Sequence, residues 1–419
     1  MRILILGGDG YLGWPTSMYL SQKGHEVAVV DNYFRRRACL TLDCEPLLPV
    51  PYLPQRAELW KAESGHTVKV FLGDVCHYAF LCQVFQEFAP EAVVHYAEQP
   101  SAPYSMLHRD AAEFTLTNNL VSTLNVVHAV AHLNPHCHIV KLGTMGVYGT
   151  PNIDIEEGYL EVEHKGRKHT FLYPKTPGSL YHLTKAQDGD LLYFYCRTWG
   201  IRVTDLNQGP VYGLEAIPGL TDDRLAPIFN YDDIFGTVLN RFLVQAVAGF
   251  PLTVYGKGGQ TRGYLNLKDT LACVELALLN PAAPGQYRVF NQFVETFTVL
   301  ELAVKVKEAA RELGLAVRVQ HLPNPRQEEE EHYYQPVNKG LLSLGLRPHY
   351  LTSQVLQGML SLIQRHQRRI RTEHILPRAS WRPKGPTWPE RFPGKFQPLD
   401  RWTPEKRGKK GIIPGVSVT

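Results

Sequence analysis

The strongest constraint on this chain lies at its start, where an apolar run, Arg2-Ile3-Leu4-Ile5-Leu6, leads into glycines at positions 7, 10 and 13 and then a helical pattern around Thr16 to Leu20. Strand, tight turn and helix follow in that order. Glycine suits such a turn because a side chain would hold the backbone away from a pyrophosphate, whose charge is stabilised by free N–H groups at the helix N-terminus. A second apolar run, Glu26 to Val30, ends at Asp31, the distance at which a carboxylate accepts hydrogen bonds from adenosine ribose hydroxyls. The pattern predicts a dinucleotide site, with Gly7, Asp9, Gly10, Tyr11, Leu12 and Gly13 at the phosphates and Asp31 and Asn32 at the ribose. Asp31 argues for NAD over NADP. Arg35, Arg36 and Arg37 leave a 2′-phosphate open as the alternative, and Arg35 and Arg36 are candidate cofactor contacts.

Further along, Val68 to Leu72 reads as a strand before Gly73-Asp74-Val75, and Ala92 to Tyr96 as another ending in Ala97-Glu98-Gln99. A helix from Asn118-Asn119 through about Ala131 precedes a strand at His138 to Leu142, which ends at Gly143-Thr144. Alternation of this kind predicts an α/β fold, a doubly wound parallel Rossmann-type sheet with function at the carboxyl ends of its strands. Asp74 and Val75 are then placed for the adenine, and Ala97, Glu98, Gln99, Asn119 and Leu142 for the cofactor channel. After Leu206-Asn207-Gln208 the pattern breaks into Pro/Gly-rich segments with short strands at Pro251 to Tyr255 and Tyr287 to Phe290. The expected organisation is a cofactor domain over 1–206, a smaller mixed α/β substrate-binding domain mainly over 207–377 with segments free to return to the sheet, and a basic Pro/Trp-rich tail over 378–419.

With 419 residues, 44% of them apolar, the chain can bury one large core or two moderate ones. Its seven cysteines are scattered without metal-ligand spacing, so reduced thiols are expected, with no disulfide and no metal. The first strand begins at residue 2 and no apolar run approaches the roughly 20 residues that span a bilayer, so a soluble, cytoplasmic protein is expected. The net charge of +4 divides unevenly: residues 378–419 hold ten Lys/Arg against three Asp/Glu, so the tail carries +7 and the remainder −3. Trp381, Trp388 and Trp402 among its prolines suggest an extended strap docking on its own or a neighbouring subunit. A nucleic-acid arm is the less favoured alternative, and no nucleic-acid partner is expected. The acidic run Glu328 to Glu331 reads either as a solvated face or, beside Pro323 to Arg326 and His332 to Tyr334, as a loop near the ligand.

The chemistry centres on Tyr181-His182-Leu183-Thr184-Lys185. A tyrosine loses its proton near pH 10, too high for a base at neutral pH. Lys185, one helical turn on, shares a helix face with Tyr181 and supplies positive charge that favours the phenolate, as does an oxidised nicotinamide. Tyr181 can then take a proton from a sugar hydroxyl while hydride leaves the same carbon, with Thr144 bonded to that hydroxyl. Tyrosine and lysine four apart also occur by chance as an exposed helix pair, and it is the company of the glycine turn and Thr144 that gives this pair its meaning.

Together these residues resemble the extended short-chain dehydrogenase/reductase family, in its nucleotide-sugar epimerase/dehydratase group. Longer strings narrow the likeness to the branch that makes a sulfosugar nucleotide: Leu142 to Gly146, Tyr148 to Gly158, Asp205 to Gly209, Thr253 to Leu265 and Glu331 to Tyr334. The resemblance runs from residue 1 to about 381. It implies NAD as cofactor and UDP-glucose and sulfite as substrates: oxidation at C4, loss of water across C5 and C6, addition of sulfite at C6, and return of hydride to C4. Thr144, Tyr181 and Lys185 take their catalytic roles from it. It also implies that Gln260 and Arg262, on a glycine-rich loop, clamp the diphosphate. Asn207 and Gln208 would contact the sugar nucleotide, with Arg241, Thr253, Tyr255 and Tyr334 completing that side. Met145 and His182 would border the hexose, His182 being equally readable as a packed helix residue or an acid/base. A homodimer is expected, and sulfite could arrive free or from a protein partner.

Two positions depart from that branch, Pro100 standing where it has arginine and Val147 where it has glutamate. Both lost groups are charged, which bears on sulfite handling and on elimination. The Asp-Glu pair that follows the catalytic threonine in 4,6-dehydratases is replaced by Met145-Gly146, which disfavours ordinary dehydration to a 6-deoxysugar. Val147-Tyr148-Gly149 is shared with many 4-epimerases, so a UDP-hexose 4-epimerase is the enzymatic alternative. A noncatalytic NAD-binding scaffold is the alternative from another class, and Thr144, Tyr181 and Lys185 argue against it.

Overall fold

Seven parallel strands carry the architecture of the computed structural model, which describes residues 1–326, 331–376 and 381. They are β1 (Arg2–Leu6), β2 (Glu26–Asp31), β3 (Val68–Leu72), β4 (Ala92–His95), β5 (His138–Thr144), β6 (Arg202–Gln208) and β7 (Tyr287–Gln292). Their spatial order is β7-β6-β5-β4-β1-β2-β3, every pairing parallel. Strand order reverses between β1 and β4, and a crevice opens there at the carboxyl ends. The apolar runs show no alternation because both faces are covered. Ile3, Ile5, Val27 and Val29 pack on one side with Trp14 and Met18, while Leu4, Leu6, Ala28 and Val30 pack on the other with Val93, Val126 and Leu192.

The helix Gly13–Gln22 starts almost on top of the strand that precedes it. A Cβ at Gly13 would lie 2.0 Å from the Gly7 carbonyl oxygen, and Gly7 itself sits at φ +90° with its Cα facing the Tyr96 backbone. Only bare Cα atoms allow this approach. Below the turn the Asp9 carboxylate binds Arg36 (Nε to Oδ2 2.5 Å) and the fully buried Arg56 at 3.5 Å, whose guanidinium lies 4.6 Å from the Trp14 ring.

A second core lies beyond the sheet. Helices Val238–Val247, Val299–Glu312 and Ser353–Arg365 bring Phe242, Leu302, Val306, Leu356, Leu360 and Ile363 together. Leu252–Tyr255 pairs parallel with Val319–Leu322, and Thr261–Asn266 lies between Val211–Tyr212 and Glu295–Thr298. The segment Tyr287–Gln292, read from sequence as part of the smaller domain, returns to the central sheet and pairs with β6 along its whole length. Its mixed composition gives no cue to which sheet it joins. Two further differences concern local signals. The helix expected from Asn118 begins at Arg109, where His108 accepts the Ala111 N–H, and an antiparallel hairpin at Tyr159–His164 and Arg167–Leu172 was not anticipated because most of its residues are polar and exposed.

The described residues belong to one compact unit. Trp388, Trp402 and Glu328 to Glu330 lie outside the described residues. Among those described, no helix is long and apolar enough to cross a membrane.

Replacing Gly13 with alanine should force the helix away from the β1 exit. We expect a loss of about 1–3 kcal/mol in unfolding free energy, the usual cost of overpacking, measured as a lower urea midpoint at unchanged slope; an unchanged midpoint would mean the close approach is dispensable.

Candidate active site

A cleft of ≈ 730 Å³ runs from the glycine turn, over the carboxyl ends of the sheet, to the second core. This is the size of a ligand site. Gly7, Asp9, Gly10, Tyr11, Leu12, Gly13, Asp31, Asn32, Arg35, Asp74, Val75, Ala97, Glu98, Leu142 and Gln208 all reach its wall. Asp31 Oδ2 accepts the Asp9 N–H (2.9 Å) and Oδ1 the Tyr33 N–H (2.6 Å), and burial followed by repulsion from Asp9 raises its proton affinity to a pKa of about 7. Asn32 donates to Asp74 at 3.1 Å, which orients that carboxylate at the same end.

The arginines after Asp31 are engaged within the protein: Arg35 binds Asn230 Oδ1 through two nitrogens, Arg36 binds Asp9 and the Val50 and Pro51 carbonyls, and Arg37 binds the Asn32 carbonyl. Arg36 does not reach the cleft wall. Nor do Gln99 and Asn119, which were expected to line the channel and instead brace the wall from behind. Asn119 Oδ1 accepts the Gln99 N–H (2.8 Å) and its amide donates to Thr184 (3.0 Å), while the Gln99 amide donates to Thr115 at 2.9 Å.

The reactive centre forms where β5 ends against the helix Leu180–Trp199. Ser179 caps that helix by accepting the His182 N–H, and Ser105 Oγ accepts the Tyr181 N–H at 3.1 Å, so the first turn is fixed at both residues. Thr144 Oγ1 accepts the Gly146 N–H at 3.2 Å, which leaves its own proton to donate into the cleft. Tyr181 lies on the wall, with the Lys185 ammonium 5.8 Å from its ring centre. Lys185 lies behind that wall, donating to the Leu142 carbonyl at 2.6 Å and paired with Glu98.

The charges differ from the simple expectation. Burial pushes the Tyr181 hydroxyl above the ordinary tyrosine range, Glu98 pushes it further, and Lys141 pulls it back. Lys185, countered at contact distance by Glu98, does not by itself make Tyr181 acidic. Burial lowers Lys185 to a pKa of about 8 against the opposing pull of Glu98.

His182 and Met145 both border the cleft. The imidazole Nδ1 is hydrogen-bonded to Ser179 Oγ at 2.9 Å, and the other side of the ring lies against Gly146, where a Cβ would meet Cδ2 and Nε2 at 2.4 Å. Burial, then Arg326, Arg262 and Lys185, depress His182 to a pKa of about 3, so it is a neutral imidazole. Of the two departures, Pro100 is on the cleft wall, whereas Val147 is buried in an apolar cluster with Met145, Tyr148 and Tyr173.

At the far end of the cleft stand Arg241, Tyr255, Gln260, Arg262, Arg326, Tyr334 and Trp381. Arg241 donates to the Tyr255 hydroxyl (2.9 Å) and the Thr253 carbonyl (3.1 Å), while its Nε and both amide atoms of Gln260 are buried without a hydrogen-bond partner. Unsatisfied buried polar atoms on a cavity wall suit a polar ligand. Arg262 is on the strand Thr261–Asn266 rather than in the glycine-rich loop, and its Nη1 contacts His332 Nε2 at 3.2 Å. Tyr334 accepts the Gly263 N–H, steadying that strand. Arg326 lies 5.1 Å from the Trp381 ring, whose backbone N–H donates to the Pro325 carbonyl, so the first tryptophan of the tail region docks beside the cleft of its own chain. Two residues expected on this side face elsewhere. Asn207 donates to the Tyr148 hydroxyl at 2.8 Å, and Thr253 serves Gln245 and Arg241, neither reaching the wall.

The NAD dependent epimerase/dehydratase family matches residues 3–291. The chain belongs to this family. Among curated members it is 48% identical to the chloroplastic UDP-sulfoquinovose synthase of Spinacia oleracea over 92% of this chain and 80% of that one. It is 44% identical to the UDP-sulfoquinovose synthase of Sulfolobus acidocaldarius over 91% and 98%. In fold it is similar to the Thermus thermophilus UDP-glucose 4-epimerase, at TM-score 0.62 and 24% identity over 87% of this chain and 99% of that one.

Lys141 and Asp188 were missed in the sequence reading of this family member. The signal was there for Lys141, a charge inside the apolar run His138 to Leu142. Tyr181→Phe should preserve the fold and the ring packing while lowering turnover about 10²–10⁴-fold, the range for a lost general base; activity within a few-fold of wild type would remove Tyr181 from the chemistry.

Proposed function

We propose that this protein is an NAD-dependent UDP-sulfoquinovose synthase, converting UDP-glucose and sulfite to UDP-sulfoquinovose. What supports the reading most is the pairing of its likeness to two such synthases over nine-tenths of the chain with a cleft that has Thr144, Tyr181 and a neutral His182 on one wall.

The residues fit NAD. A turn in which a Cβ at Gly13 would strike the Gly7 carbonyl leaves room for a diphosphate against backbone N–H groups, and the Asp31 carboxylate stands on the wall for a ribose. Arg36 is engaged with Asp9, which favours NAD over its 2′-phosphate. When bound, NAD supplies the hydride acceptor for C4 of the hexose and the donor that restores it.

Tyr181 takes the C4 hydroxyl proton, and Thr144 holds that oxygen in place. The resulting ketone acidifies the hydrogen at C5, which His182 removes as a proton and passes to the departing C6 hydroxyl, so that water leaves and a 4-keto-5,6-ene remains. Sulfite adds through sulfur at C6, C5 takes a proton drawn from solvent through His182, and Tyr181 gives its proton back to the C4 oxygen as that carbon is reduced again. Arg241, Gln260, Arg262 and Arg326 hold the diphosphate, whose negative charge offsets the guanidinium fields that suppress His182. Substrate binding therefore raises the proton affinity of the base it needs. A homodimer fits the apolar surface on two neighbouring helices, where Leu133, Phe194 and Trp199 are exposed. Sulfite enters as a small anion, free or handed over by a protein partner.

Incubation with NAD, UDP-glucose and sulfite should give the mass of the sulfonated sugar nucleotide. Without sulfite, in deuterated water, label should enter C5, and His182→Ala should suppress it. UDP-galactose carrying all its carbon-bound hydrogens, with no sulfite-dependent product, would instead make the protein a 4-epimerase.

A further inference from the structure

Beneath the reactive centre, on the side away from the cleft, lies a buried group of charges that the reaction scheme does not use. Lys141 projects from β5 and Asp188 from the helix one turn beyond Lys185, and neither reaches the cleft wall. The side chains of Lys141, Asp188, Glu98 and Lys185 are each at most 2% exposed. Lys141 Nζ pairs with Glu98 Oε1 and with Asp188 Oδ2 at 3.1 Å, and donates to the Leu142 carbonyl at 3.2 Å. The other oxygen of Glu98 pairs with Lys185, which donates to that same carbonyl. Two ammonium groups thus share one carboxylate and one carbonyl. Lys141 has three donors and three acceptors, while Lys185 retains one N–H beyond its two partners.

We propose that Lys141 and Asp188 are positioning residues that fix the Glu98–Lys185 pair and set, with opposite signs, how readily Tyr181 gives up its proton. The proposal rests on the reading of Tyr181 as the base. Through a low-dielectric interior, a charge one shell removed still acts on the phenol. The cation Lys141 favours the phenolate and the anion Asp188 opposes it. Asp188 itself is raised to a pKa of about 7 by burial, against the pull of Lys141, so it gains its charge within the working range. The other groups facing this cluster do not reverse the sign. His95, on β4, is kept neutral by burial and hydrogen-bonds Thr123. Asp205, on β6, is bound by the Tyr287 hydroxyl from β7, and Lys175 pairs with Asp190.

The test uses the NAD-bound protein. The pH dependence of NAD reduction by UDP-glucose is compared for wild type, Lys141→Met and Asp188→Asn. The ultraviolet absorbance of the Tyr181 phenolate is read without substrate, as the difference between each protein and its Tyr181→Phe counterpart. Lys141→Met should move the acid limb and the phenolate midpoint up by about one pH unit, and Asp188→Asn should move both down by a similar amount. Coincident profiles, or two shifts of the same sign, would overturn the proposal, since a merely structural role lowers amplitude without opposite displacements. If Lys141→Met does not fold, the near-isosteric Asp188→Asn decides alone, because only the electrostatic role shifts it downward. The substrate-free reading separates the two hypotheses: opposite phenolate shifts without turnover of UDP-glucose would uphold this inference and sink the substrate assignment.

Discussion

The site depends on a set of ion pairs whose side chains are almost wholly buried. Glu98 follows β4, Lys141 lies on β5, and Lys185 and Asp188 lie on the helix carrying Tyr181, so one cluster ties three elements to a common point. Burying an ion costs several kcal/mol, and pairing offsets this only where geometry is good and the remaining donors are bonded. Here the Leu142 carbonyl takes a hydrogen bond from both lysines, and Leu142 itself forms part of the cleft wall two residues before Thr144. Stability and alignment are therefore linked: the contacts that make the buried charges tolerable also tie the helix carrying Tyr181 to the strand that ends at Thr144.

The parts of this fold that could be read from the sequence are those where residue type and local spacing suffice. The glycine turn, the apolar strands on either side of it and the Tyr181-to-Lys185 spacing are of this kind, because each is decided by neighbours along the chain. What could not be read depends on direction in space. Asn207 and Gln208 are adjacent on β6, yet only Gln208 meets the cleft, because successive strand side chains point to opposite faces. Gln99 and Asn119 look like cofactor ligands by type and satisfy one another instead. The return of Tyr287–Gln292 to the sheet is likewise a long-range choice, with about eighty residues between it and the strand it joins.

The two ends of the cleft are electrostatically continuous. Arg326 and Arg262, at the far end, act on His182 beside Tyr181, and Arg326 also acts on Arg241. An anion held by the guanidinium groups is therefore felt at the imidazole with no movement of the backbone. Trp381 lies over Arg326 at this same end, so the last described residue of the chain contacts one of the charges that make the coupling work.

Gly146 carries a consequence for how such catalysts diverge. The imidazole of His182 fills the space a side chain at 146 would need, since even one added carbon would come within 2.4 Å of the ring. An acidic residue at 146, of the kind that follows the catalytic threonine in 4,6-dehydratases, and an imidazole in this rotamer at 182 are mutually exclusive occupants of one volume. A carboxylate gained at 146 would therefore displace the ring from its bond to Ser179, so the two groups can share a chain but not this arrangement, and a change at one position recasts the other.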